Sequence, residues 1–372
     1  MQNKKEQGTL MLIITNQCNL RCTYCYEKHE NHGSMSLEVA QENIRKVLND
    51  DQKYSSITIS IFGGEPFLEF KRMKEICEWT WKQNWKVPYK FSFSTNGTLL
   101  NSKSKAWLKM HKDQLFLVLS ADGTEESQNI NRSNSYSKID YDFFTQTWKN
   151  PQVKMTVSKN SLKNLAKDII FFHEKNFTFA ECNLAMGIDW ESERYTSLLE
   201  EQLQILLNYY IKHPELEPAQ IINMSIGSCE NKKVLKKWCG VGRELMTIDV
   251  DGKKYPCNYI TPMSFNQDEL EILLHHDFTS VREILDEDCY NKCYLYPVCP
   301  TCYGADYQLT KSFKKKDKTI CKLMEIEAIY SAALKAERIV QKKDFSDFSL
   351  EEKGRMHKTI KAINNINLLY GK

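Results

Sequence analysis

No apolar run in the 372 residues approaches the roughly 20 that a membrane-spanning helix needs. The opening MQNKKEQG has no apolar core of the kind that directs secretion. Neither charge sign prevails: 51 Lys and Arg against 48 Asp and Glu leave a formal net charge of +3. Neither a nucleic-acid footprint nor a polybasic membrane anchor is implied. Internal repeats and low-complexity tracts are also missing. The expectation from these absences is a cytoplasmic globular protein with no nucleic-acid or membrane partner. Its 41% hydrophobic and 27% charged content is ordinary for that class. The length suffices for one large domain, or a medium one with a smaller companion.

What the chain has in excess is cysteine, thirteen in all. In a reducing compartment these should not form a disulfide framework, so clustered thiols point to metal. Eleven of the thirteen are clustered: Cys18, Cys22 and Cys25 near the start, then Cys229, Cys239, Cys257, Cys289, Cys293, Cys299, Cys302 and Cys321. Cys77 and Cys182 stand apart and read as small buried hydrophobes.

Six short apolar runs alternate with helix-like stretches up to about residue 213: TLMLIIT (9–15), SITISIF (56–62), YKFSFST (89–95), LFLVLSA (115–121), VKMTVS (153–158) and FTFAECNLAMGI (177–188). Leu37, Ala40, Ile44 and Val47 recur at helical spacing between the first two. Such alternation predicts a parallel sheet with crossover helices, an α/β fold. The conspicuous segments each follow a run: Cys18–Cys25, then GGEP (63–66), TNG (95–97) and ADG (121–123). Ligand-gathering loops lie at that carboxyl end in a parallel barrel or sheet. Each segment alone also reads as an ordinary strand-ending turn. From about residue 220 helical periodicity gives way to short loops, DVDGKKYP reads as a hairpin, and cysteines come every few residues. Periodicity returns in 322–341 and 350–369 as two closing helices, and KSFKKKDK (311–318) reads as a solvated loop. The expected division is 1–215, a cysteine-stapled 216–330, and a helical 331–372.

In CNLRCTYC the cysteines are separated by three and two residues, and no fourth follows. A structural zinc wants four closed ligands, whereas an iron–sulfur cube on three cysteinates keeps one iron open for a ligand. The segment resembles the three-cysteine signature of radical S-adenosylmethionine (SAM) enzymes, with Tyr24 as the aromatic residue before the last cysteine. The resemblance spans about residues 9–213 and implies a partial (β/α)6 barrel. It implies that SAM occupies the open iron and is cleaved to a 5′-deoxyadenosyl radical that takes a substrate hydrogen. By the same likeness Gly63, Gly64 and Glu65 match the segment that receives the SAM amino group. Ser120 and Arg132 match positions holding its ribose and carboxylate, and Met186 falls near the adenine contact.

The later cysteines resemble the SPASM domain, which carries two auxiliary [4Fe–4S] clusters and brings the implied total to three. The family's pattern assigns Cys239, Cys257 and Cys302, with Cys229 as fourth ligand, to the first auxiliary cluster. Cys289, Cys293, Cys299 and Cys321 go to the second. The middle spacing here is three, five and two where the family has two, five and three. A pair of tetrathiolate zinc sites is the competing reading. SPASM enzymes act mostly on polypeptides, with a reductant such as flavodoxin or ferredoxin. The layout is similar to anaerobic sulfatase maturases, with no leader-binding wing before the trio. Those enzymes place a catalytic Asp directly after the cysteine matching Cys257, where this chain has Asn258. An amide cannot be a general base near neutral pH. The expectation is therefore an enzyme that crosslinks a ribosomal peptide by a thioether or carbon–carbon bond. Formylglycine generation is the alternative, and an iron–sulfur electron-transfer protein the non-enzymatic one. The oligomeric state is not legible.

Overall fold

In the computed structural model, which describes residues 5–30, 33–231, 235, 237–342 and 348–371, every one of the six apolar runs becomes a strand. They are β1 (Glu6–Thr15), β2 (Tyr54–Gly63), β3 (Tyr89–Thr95), β4 (Leu115–Ser120), β5 (Gln152–Val157) and β6 (Thr178–Leu184). Two short strands follow, β7 (Leu245–Ile248) and β8 (Lys254–Tyr255). The fold is α/β with a parallel sheet core. No helix among the described residues is long and apolar enough to cross a membrane.

The chain forms two compact units. The first comprises Met1–Ala121, Arg132–Val153 and Cys239–Glu283; the second comprises Asp122–Asn131, Lys154–Trp238 and Ile284–Lys372. In the first unit the strands run β4-β3-β2-β1-β7-β8. β1 to β4 pair in parallel in sequence order, as strand–helix–strand crossovers produce. Alternation is visible in β2 and β3: Ile57, Ile59, Ile61, Phe91 and Phe93 are buried while the intervening Thr58, Ser60 and Ser92 are half-buried. β1 is buried on both faces from Leu12 to Thr15, as a central strand must be. The helix Leu37–Leu48 buries Ala40, Ile44 and Val47, and the Ser36 side chain accepts from Val39 N at its start. Cys77, on the helix Phe70–Trp81, is fully buried.

The first unit's sheet does not end at β1. β7 adds to β1 in parallel, Thr9 facing Leu245 and Leu12 facing Ile248, and turns into the antiparallel β8. LMTI is too short to show a period, so its role is set by the free edge of β1. The hairpin is the expected one, closed by Gly252 N–H to Asp249 O at 2.9 Å.

In the second unit the helix Cys321–Gln341 packs on the helix Glu193–Lys212, and the helix Leu350–Tyr370 packs on the 3-10 turn Ile226–Glu230. Met224, Ile226, Leu295, Val298, Ala328, Ala332, Ala362 and Ile366 make that core. Cys182 on β6 is fully buried beside Met155. The region after residue 220 is not all loop: Gln267–Leu274 in the first unit, and Glu287–Lys292 and Tyr303–Thr310 in the second, are helices of six to eight residues. Such lengths are too short to display a period.

Candidate active site

β1 delivers the chain into the three-cysteine loop at Thr15. The loop folds on itself: Cys25 N–H donates to Cys22 O (3.1 Å), Leu20 N–H to Cys18 Sγ (3.4 Å), and the Arg21 guanidinium to the carbonyls of Cys18 (2.7 Å) and Leu20 (2.8 Å). GGEP lies directly against it, with Gly64 N–H donating to Thr15 O (3.0 Å) and Glu65 N–H to Gln17 O (2.8 Å). A Cβ on Gly63 would sit 2.2 Å from Thr15 O, and one on Gly64 2.3 Å from Gln17 O. Only glycine admits this backbone approach. TNG joins through Asn96 Nδ2, which donates to Asn19 Oδ1 (2.9 Å), and Asn19 Nδ2 donates to Thr98 Oγ1 (2.8 Å). Arg21 N–H reaches Ser133 Oγ (2.8 Å), and the Arg132 guanidinium carbon stands 5.5 Å above the Tyr24 ring centroid. Three of the four strand-end motifs and Arg132 thus share one locus. Ser120 ends β4 half-buried in the same unit.

Glu65 is 1% exposed, and its carboxylate is committed to the scaffold. Oε1 accepts from Thr95 Oγ1 (2.8 Å) and Phe67 N–H (3.1 Å), and Oε2 from Asn96 N–H (2.8 Å). Burial pushes its pKa up to about 7 against the pull of those donors and of Arg132. Burial likewise pushes the Cys18 thiol up to about 11 and Cys25 to about 12. Sulfurs enclosed this way become thiolates when a metal takes the proton's place, so the donor set fits a metal cluster. Among the described residues no three His, Cys, Asp or Glu side chains close on a single-ion position. A cube asks for something else, one thiolate on each iron.

Asn258, expected from its position after Cys257, proves to be tied to the residue that follows the trio. Its Nδ2 donates to Tyr26 Oη at 2.7 Å, and the Tyr26 ring stacks on Tyr259 with centroids 4.3 Å apart. Lys28 N–H to Met263 O (2.6 Å) extends the contact. Burial holds the Tyr26 phenol well above its ordinary pKa, and the neighbouring Glu27 carboxyl is pushed up to about 8 by burial and by Glu65, against Arg21. Tyr26 and Glu27 escaped the sequence reading; the available signal was their place directly behind Cys25. Cys239 and Cys257 flank the β7–β8 hairpin, whose base is closed by Gly242 N–H to Pro256 O (3.1 Å).

In the second unit Asp122 and Gly123 of ADG act as a brace. Asp122 accepts from Asn131 Nδ2 (3.0 Å) and Thr156 N–H (3.2 Å), and Thr124 donates its N–H and hydroxyl to Asp168 Oδ1 (2.9 and 2.7 Å). Asp168 fills the space where a Gly123 Cβ would be. Met186 lies half-buried just past β6. Of Cys289, Cys293, Cys299 and Cys321, the Cys321 thiol lies within electrostatic reach of Cys299 and Cys289, and Cys299 within reach of Cys293. Asp286 caps their first helix by accepting from Cys289 N–H (2.9 Å) and holds Lys316 N–H (2.9 Å). Lys316 Nζ donates to Cys299 Sγ (2.9 Å) and Lys318 Nζ to Cys289 Sγ (2.8 Å). The stretch 311–318 is therefore not simply a solvated loop: two of its lysines turn onto cysteine sulfurs. Cys302 stands at the start of the helix Tyr303–Thr310. Cys229 packs with Cys293 and Tyr370 against the core of this unit, so the thiol that neighbours it belongs to the other expected ligand set.

Residues 5–138, about a third of the chain, match a family model described as a 4Fe-4S single cluster domain. The cysteine-type anaerobic sulfatase-maturating enzyme of Clostridium novyi (strain NT) is 24% identical over 288 residues, 68% of this chain and 74% of that protein. The solved structure of native anSMEcpe with bound AdoMet and the Cp18Cys peptide superposes with a TM-score of 0.68 at 20% identity, covering 90% of this chain and 100% of that one. Streptococcus suis SuiB bound to precursor peptide SuiA superposes with a TM-score of 0.52 at 16% identity, covering 84% and 75%.

Proposed function

This chain is a radical SAM enzyme of the SPASM-bearing maturase type, and from that premise we propose that it crosslinks a ribosomally made peptide through a thioether or carbon–carbon bond. The observation that carries the reading is Asn258, whose amide nitrogen donates to Tyr26 Oη. An amide in that bond orients a partner and takes no proton. A substrate cysteine that ligates a metal is deprotonated outright, so sulfur crosslinking asks for no base at 258. Bound SAM and its cluster supply a hydrogen-abstracting radical. The chain's own part is to hold and orient. Cys18, Cys22 and Cys25 present three thiolates, and the GGEP backbone, Ser120, Arg132, Tyr24 and Met186 receive SAM. Glu65 stiffens that cradle. Cys289, Cys293, Cys299 and Cys321 hold one auxiliary cluster; Cys239, Cys257 and Cys302 serve the other, for three clusters in all. Cys229 packs beside Cys293, which supports counting it apart from Cys302. A flavodoxin or ferredoxin supplies electrons.

Formylglycine generation is the second reading, supported by the likeness to the Clostridium novyi enzyme. An anaerobic assay with a sulfatase-type Cys or Ser peptide separates the two. No aldehyde product is expected, and Asn258→Ala retains activity within about tenfold on the chain's own Cys-containing peptide, one hydrogen bond being worth about 1 kcal/mol. Formylglycine formed by the wild type at a multiple-turnover rate sinks the crosslinking reading and leaves the family intact.

A further inference from the structure

Two lysines address the cysteines of the second unit from a loop that is pinned on both sides. Lys316 N–H is held by Asp286 Oδ2 (2.9 Å) and Asp317 N–H by Asp306 Oδ1 (3.0 Å). Lys316 Nζ then donates to Cys299 Sγ at 2.9 Å, with Pro300 O (2.8 Å), Thr301 Oγ1 (3.0 Å) and Cys299 O (3.5 Å) as its further acceptors. Among the described residues, it donates to no carboxylate. Lys318 Nζ contacts Cys289 Sγ at 2.8 Å and shares its charge with Asp286 Oδ2 at 3.2 Å. Lys316 is half-buried, whereas the Lys318 side chain is 54% exposed.

We propose that Lys316, with Lys318 in a lesser part, is a positioning residue that raises the reduction potential of the cluster held by Cys289, Cys293, Cys299 and Cys321. The inference rests on the reading that those four cysteines carry an iron–sulfur cluster. An added electron makes the cluster more negative, and a fixed cation with N–H···S bonds stabilises that state more than the oxidised one. The half-buried ammonium is weakly screened; the exposed one is screened by solvent and by Asp286. Lys316 therefore dominates.

The test uses full-length, anaerobically reconstituted protein in a Cys18→Ala, Cys22→Ala, Cys25→Ala background, so that only the C-terminal iron is seen. Iron per chain is measured first, then an EPR-monitored redox titration. Lys316→Met should keep its iron and shift the one-electron equilibrium at least tenfold toward the oxidised form, about 59 mV lower. Lys318→Met should shift it by less than half as much in millivolts, and Lys316→Arg should stay near wild type. An unmoved potential in iron-replete Lys316→Met, or a larger shift in Lys318→Met, overturns the proposal. Should Lys316→Met lose its iron, Lys316→Gln decides: a lowered potential supports the cation's role and a wild-type potential refutes it. No iron in the parent background would instead overturn the cluster reading itself.

Discussion

Gly64 shows how much a single atom decides at the residue scale. A methyl group there would stand 2.3 Å from Gln17 O and 2.9 Å from Cys18 N, backbone atoms that cannot swing aside. Gly64→Ala should therefore displace the cysteine loop, with iron bound by the trio and SAM cleavage both falling by at least half. Iron analysis of the otherwise unmodified chain checks this. Gly354 is the control, since nothing lies within 4 Å of its added Cβ on the exposed face of the helix Leu350–Tyr370. Gly354→Ala should raise stability by about 0.5–1 kcal/mol, seen as a higher unfolding midpoint. The glycines were legible as a motif because close backbone approach leaves a composition signature. Tyr26 was not, since its meaning arises from a bond to a residue 232 positions away.

Helices and their contacts carry the pH response. His173, on the helix Leu165–Glu174, is 8% exposed and pairs through Nε2 with Tyr210 Oη at 2.8 Å. Burial lowers its pKa to about 4. Because the folded value is depressed, the unfolded chain takes the proton first as pH falls. The contribution is complete above the ordinary histidine value of roughly 6.5 and is lost down to the folded value, on the order of 3 kcal/mol. Asp168 and Glu65, both pushed up to about 7, titrate in the opposite sense. The comparison of His173→Gln with wild type isolates the histidine: between pH 7 and 4.5 the urea midpoint of the variant should fall less. The final helix offers a second test. Ser349 accepts from Glu352 N–H while the Glu352 side chain accepts from Ser349 N–H, so Ser349→Ala should cost about 1 kcal/mol. The two long closing helices were legible from their period. The helices of six to eight residues between the cysteines were not, because two turns hold too few positions to show one.

For the whole molecule the composition of the thiols makes the strongest claim. Reconstituted protein should be brown and carry on the order of twelve irons, about three cubes. Substituting Cys18, Cys22 and Cys25 by Ala should remove about one cube and all SAM cleavage while the C-terminal iron stays. Stoichiometric zinc without iron would end the reading. Cys229→Ala adds a finer check. If its place beside Cys293 is only packing, the auxiliary EPR signals persist; a changed signal makes it a ligand.

The sequence by itself determined the α/β class, the six strands, the hairpin and the strand-end position of the cysteine trio. Periodicity and turn chemistry are local, and a parallel sheet gathers its loops at one end whatever the details. Only the tertiary structure decided that β7 completes the edge of β1 and that Glu65 braces Thr95 and Asn96. The same holds for Tyr26 meeting Asn258 and for Lys316 and Lys318 reaching cysteine sulfur. Each of these joins residues distant in the chain, and whether a polar side chain faces solvent or a buried partner is settled by what the fold packs against it.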